Sequence, residues 1–159
     1  MPETERYIQI LIESLKKKIQ ILDTLLAMNE EQARVIKEGA DLDQFDELVS
    51  QKSEQIELIK KLDVGFDAVY RRVKPEITGH PEIHKEEIRQ MQELITELTD
   101  RSVQMEASEK RNKQAVEQYF ASMRRNLNTT KKSVSAATNY YKSMTGTQYV
   151  DAQMINFKQ

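Results

Sequence analysis

Two histidines, His80 and His84, stand four residues apart around Pro81. Imidazoles at that spacing are the first place to look for metal or acid–base chemistry. A metal would need further ligands, and only Glu76 and Glu82 lie close in sequence. No His-Glu-x-x-His motif is present, nor the Glu-x-x-His pair that helical di-metal sites place on two helices. The two histidines therefore read as loop and helix-cap residues. Cysteine is absent, which excludes thiolate ligands, disulfides and cysteine nucleophiles. There is no Gly-rich phosphate loop and no Gly-x-Ser-x-Gly elbow. Neighbouring carboxylates are common but fall on solvated helix faces. No catalytic residue, no metal and no cofactor is expected, and the chain does not read as an enzyme.

Charge offers a second kind of chemistry. The net charge is −2, yet residues 101–142 hold nine bases against three acids, while residues 41–83 are acid-rich. Clustered Lys and Arg over 110–132 would suit phosphate contacts. Only Tyr119 and Phe120 interleave them, and no recognition motif accompanies them. A basic helix complementing an acidic one accounts for the pattern, so no nucleic acid is expected as partner. The longest apolar run is Leu25 to Met28, which excludes membrane insertion as a helix. The opening Met-Pro-Glu-Thr-Glu lacks the basic and apolar blocks of a secretory signal, and a cytoplasmic location is the expectation.

The elements behind these residues are helical. With 31% charged residues, four Gly and three Pro, the composition favours long helices. From about 4 to 38, Ile8, Leu11, Leu15, Ile19, Leu22 and Leu25 recur in steps of three and four, one face of a helix. Glu13–Lys17 and Glu30–Arg34 offer pairs on its outer face. Gly39 supplies a left-handed terminator, and Asp41 with Gln44 resembles a capping box that restarts a helix. A second helix over about 42–73 carries Phe45, Leu48, Val49, Lys52, Ile56, Ile59, Leu62 and Phe66 on one stripe, with Gly65 inside it. Lys74-Pro75 is expected to stop it, because proline disfavours helical geometry in the preceding residue. Residues 74–83 read as a loop, with Pro81 suited to the first turn of the next helix.

A third segment, about 82–144, contains no Pro or Gly. As one helix it would run roughly 90 Å, against roughly 50 Å for each of the others. It either projects beyond the bundle or breaks, near 106–114 or 126–130, into a fourth helix. The pairs Glu106–Lys110 and Glu109–Lys113 favour one continuous helix across the polar stretch 106–114. The expected fold is thus all-α: an antiparallel bundle of long helices, formed by a helical hairpin plus a very long third helix or that helix broken into a fourth. Residues 1–145 form one domain and 146–159 a flexible tail.

Apolar residues on an uncovered helix need a partner. Met91, Met105, Met123 and Met144 recur along the third segment, and methionine suits surfaces that accept varied apolar partners. Met91 and Met105 lie in the bundle stripe, whereas Met123 and Met144 fall beyond the reach of the two shorter helices. Tyr140, Tyr141 and Tyr149 add residues favoured at interfaces.

The hairpin over residues 15–63 resembles the FlgN-type flagellar export chaperones. The likeness rests on Leu25-Leu26, Glu31-Gln32, Ile36-Lys37, Gly39, Leu48-Val49-x-x-Lys52, Ile56, Ile59 and Leu62-Asp63, and on the plan of two shorter helices, a long third one and a tyrosine-bearing tail. The resemblance implies a chaperone without ATPase activity. It would bind the C-terminal helices of hook-associated proteins, keep them from assembling early and deliver them to the flagellar type III export gate. It also implies client binding in about 115–144, with Val116, Tyr119, Phe120, Met123 and Leu127 as anchors. Docking to the export gate would fall to one of Tyr140, Tyr141 and Tyr149. Two other readings stay open: a self-associating coiled-coil scaffold, working as a homodimer, and a helical nucleic-acid binder.

Overall fold

The computed structural model describes residues 2–39, 42–122 and 127–145. Their regular structure is four helices: α1 (Pro2–Lys37), α2 (Leu42–Gly79), α3 (Lys85–Ser122) and α4 (Leu127–Thr145). At 1.5 Å per residue the first three are each about 55 Å long, and α4 is about half that.

The apolar stripes form the core as their spacing requires. Ile8, Leu11, Leu15, Leu22 and Leu25 of α1 are buried against Phe45, Ile56, Ile59, Phe66 and Val73 of α2 and Met91, Ile95, Leu98 and Met105 of α3. Gly39 has φ +68° and donates its N–H to the Ile36 carbonyl, closing α1 as expected of a left-handed glycine. Asp41 lies outside the described residues, and α2 starts at Leu42.

Polar contacts fix the direction of each helix. Lys18 Nζ meets Asp63 at 2.7 Å, and Lys52 Nζ meets Gln32 at 2.8 Å. Low numbers on α1 thus face high numbers on α2, and the pair is antiparallel. Arg101 Nε reaches Asp23 at 3.0 Å and Asn29 Nδ2 reaches Ser108 at 2.6 Å, so α3 runs parallel to α1. Ser133 Oγ donates to Asp46 at 3.0 Å and Lys60 Nζ to Ser143 at 2.8 Å, so α4 runs parallel to α2. The result is an up-down-up-down bundle, four helices thick at the Gly39 end and three at the other.

Two local expectations are corrected. Helix α2 does not stop at Lys74; it continues through Pro75 to Gly79. Proline there forfeits one backbone hydrogen bond, but Ile77 beyond it is 1% exposed, and the Thr78 hydroxyl donates to the Lys74 carbonyl at 2.8 Å. Burial of Ile77 outweighs the local preference. Pro81 then lies in a turn over 81–84 and not in the first turn of a helix; α3 begins at Lys85, with Ile88 N–H bonded to the His84 carbonyl.

The third segment takes the reading with a fourth helix: α3 runs unbroken through 106–114 to Ser122, and α4 begins at Leu127. Ser133, Ala137 and Tyr140 are buried, and Met144 packs partly buried below them. These positions step by four, three and four, so they form one face of α4, which a straight 90 Å helix would leave in water. Folding back also corrects the charge pairing: Glu109 turns inward instead of pairing with Lys113 along the helix. On α1 the outer pairs form between other partners than expected: Glu13 meets Lys16 in place of Lys17, and Arg34 meets Glu31 and Glu38 in place of Glu30.

A groove between the third and fourth helices

The stretch 106–114, polar in sequence, is polar because it carries a buried layer. Ser108, Glu109 and Asn112 are 8%, 2% and 6% exposed. Asn112 Nδ2 donates to the Asn29 carbonyl at 2.9 Å, while Asn29 Nδ2 holds Ser108. One turn away, every helix contributes to a single node. Lys52 of α2 lies 3.2 Å from Glu109 of α3 and 2.8 Å from Gln32 of α1. The Tyr140 hydroxyl of α4 donates to Glu109, and the Tyr140 ring lies 4.3 Å below the Lys52 ammonium. Burial holds the Lys52 pKa below the usual lysine range, against the pull of Glu109. Buried charge needs this kind of enclosure, since leaving either ion unpaired is costly.

The node pins α4 to the bundle by one edge. Its other edge stands away from α3, and between them runs a groove of about 710 Å³. Val116 and Phe120 of α3 and Val134, Ala137, Tyr141 and Met144 of α4 supply its apolar lining. Glu106, Lys110, Lys113, Glu117 and Lys142 are its charged members besides Glu109. Such a cleft, apolar within and charged at its margins, has the chemistry to receive an amphipathic helix. Burial pushes the Tyr141 phenol pKa well above its ordinary value, with the Glu109 charge adding to it. That phenol is therefore a neutral wall of the groove at physiological pH.

Of the five expected client anchors, the structure brings Val116 and Phe120 into the groove. Val116 is 3% exposed. Phe120 is partly buried and meets Phe45 edge-on, ring centroids 5.4 Å apart. Tyr119 turns to the other side, its ring 5.7 Å from Phe45 within the core. Met123 lies outside the described residues, as does the side chain of Leu127. Among the tyrosines, Tyr140 is 2% exposed in the node, Tyr141 lines the groove, and Tyr149 lies outside the described residues.

The sequence reading missed Val134, Ala137 and Met144 as groove partners of Val116, because it favoured one continuous helix over a break near 126–130. Their signal was present in the Ser133–Ala137–Tyr140–Met144 spacing, but serine and alanine make a faint stripe. His84 is 1% exposed at the α2–α3 turn, its Nε2 3.9 Å from Glu76, and His80 is exposed. No described helix is long and apolar enough to cross a membrane. Residues 1–147 match the profile of a protein family described as FlgN protein. No curated protein and no solved structure matches the chain.

Proposed function

The chain belongs to the FlgN family of flagellar export chaperones, and on that footing we propose that its α3–α4 groove receives the C-terminal helices of hook-associated proteins. The observation that carries this reading is the groove itself: about 710 Å³ of apolar-lined space between two helices that meet the rest of the bundle but not each other along this edge. A client helix laid there completes the packing that α3 and α4 leave open, with apolar side chains at i, i+3, i+4 and i+7 seated on Val116, Phe120, Val134 and Tyr141. Lys110, Lys113 and Lys142 favour acidic residues flanking that stripe and steer encounter more than they add affinity. Covering a client's assembly helix in this way prevents it from pairing with its own kind. The chaperone then acts in the cytoplasm and hands the client to the export gate. Tyr140 is committed to the node, so gate docking through it requires α4 to move.

The test is calorimetric titration of the full chain with the terminal segment of a hook-associated protein. Val134 is 38% exposed on α4, so replacing it perturbs the groove without emptying the core. One-to-one binding is expected, weakened at least ~10-fold in Val134→Glu, as for a charge set against an apolar helix face. Equal affinity of the variant would remove the groove from the reading. Absence of binding, with a dimer by light scattering, would favour self-association.

A further inference from the structure

We propose that the groove has an occupant of its own: residues 149–158 of this chain fold back antiparallel to α4 and lay Val150, Met154 and Phe157 on Val116, Phe120, Val134 and Tyr141. Three observations converge on it. The groove runs along α4 from Val134 to Met144, and the chain leaves α4 at Thr145, at the Met144 end. Val150, Met154 and Phe157 step by four and three, which gathers them on one face of a helix. Ten helical residues span about 15 Å, the same as Val134 to Met144 along α4.

Connection and charge agree. Thr145-Gly146-Thr147-Gln148 is a short link containing glycine, and helix–helix links of two to eight residues make antiparallel neighbours. Asp151 follows Val150 and falls beside the apolar face, where Lys110, Lys113 and Lys142 offer it partners. A helix this short is marginal alone. Tethering supplies an effective concentration in the millimolar range, so weak docking suffices to fill the groove. The family match ends at residue 147, so the segment is not accounted for by membership. Docking stands without the client reading; only the consequence, that a client must displace the segment, rests on it.

The chain has no cysteine, so a single label can be introduced cleanly. A nitroxide on Gln153→Cys in the full chain should broaden the amide signals of Val116, Phe120, Ala137 and Tyr141. Adding Met154→Ser and Phe157→Ser should restore them. Unbroadened groove signals would overturn the proposal. So would broadening centred on Val64 and Val103, the exposed valines of α2 and α3. In titrations with the hook-associated segment, Met154→Ser/Phe157→Ser in the unlabelled full chain should tighten binding about tenfold by removing the competitor. Unchanged affinity beside positive broadening would overturn displacement. Positive broadening with no client binding to either form would uphold docking and sink the client reading alone.

Discussion

Lys52 Nζ lies 3.2 Å from Glu109 Oε1, with the two side chains 1% and 3% exposed. This pair joins α2 to α3 in the middle of the bundle, where an apolar contact would be the ordinary solution. Removing one ion strands the other. Lys52→Met is expected to cost about 3–5 kcal/mol in urea unfolding. Lys52→Met/Glu109→Leu, made with Tyr140→Phe so that no hydroxyl is orphaned, should recover most of that loss. A triple variant as unstable as the single one would show that the node contributes more than charge pairing.

The same lysine sets a pH dependence. Its pKa in the folded state is lowered by burial, whereas in the unfolded chain it is ordinary. Between those two values the unfolded state binds the extra proton, so this residue's contribution to stability rises with pH. The stability of the wild type relative to Lys52→Met should therefore increase as pH rises from the folded pKa towards the ordinary lysine value. A difference that is flat or falls across the alkaline range would contradict the burial cost assigned to Lys52.

Tyr140 is the α4 residue that donates to Glu109. Tyr140→Phe keeps the ring under Lys52 but removes the hydroxyl that Glu109 accepts from. Glu109 keeps Lys52, so the expected loss is that of one hydrogen bond to a charged group, about 1.5–3 kcal/mol. It should appear first as faster amide exchange along 131–144, with α1 unchanged. Uniform acceleration in all helices would mean that α4 does not open independently.

Gly65 sits inside α2, and an added Cβ would meet nothing within 4 Å. It serves no close approach. Gly65→Ala should stabilise the protein by roughly 0.5–1 kcal/mol through helix propensity alone. A midpoint shift upward of about 1–4 °C is expected for a chain of this size. A decrease would point to a contact made in an assembly and not in the free chain.

Much of the fold was legible because periodicity is local. The α1 and α2 stripes and the Gly39 stop needed only residues three or four apart. Lys52 sat on the α2 stripe in the sequence, and its burial follows from that register. Its partner did not show, since nothing near Glu109 distinguishes a carboxylate that faces Lys52 from one that faces water. Pro75 misled because the burial of Ile77 is a tertiary gain that no local rule contains. The break before α4 stayed one reading among others for a related reason: its inner face includes Ser133 and Ala137, small residues that make a faint stripe. The groove was half legible. Val116 and Phe120 were found as apolar residues on α3, while the wall opposite them exists only once the chain turns back.

The node also decides how the molecule responds to its ionic surroundings. With α4 seated, the Tyr140 ring covers the Lys52–Glu109 pair, and mobile ions scarcely reach it. Lift α4 away and the same pair is wetted on that side, where dissolved salt screens it over a length of about 10 Å at 0.1 M. Salt thus acts on the opened bundle far more than on the closed one. Ionic strength becomes a control on how readily the fourth helix departs, set by a lysine and a glutamate that no solvent ion touches while it stays.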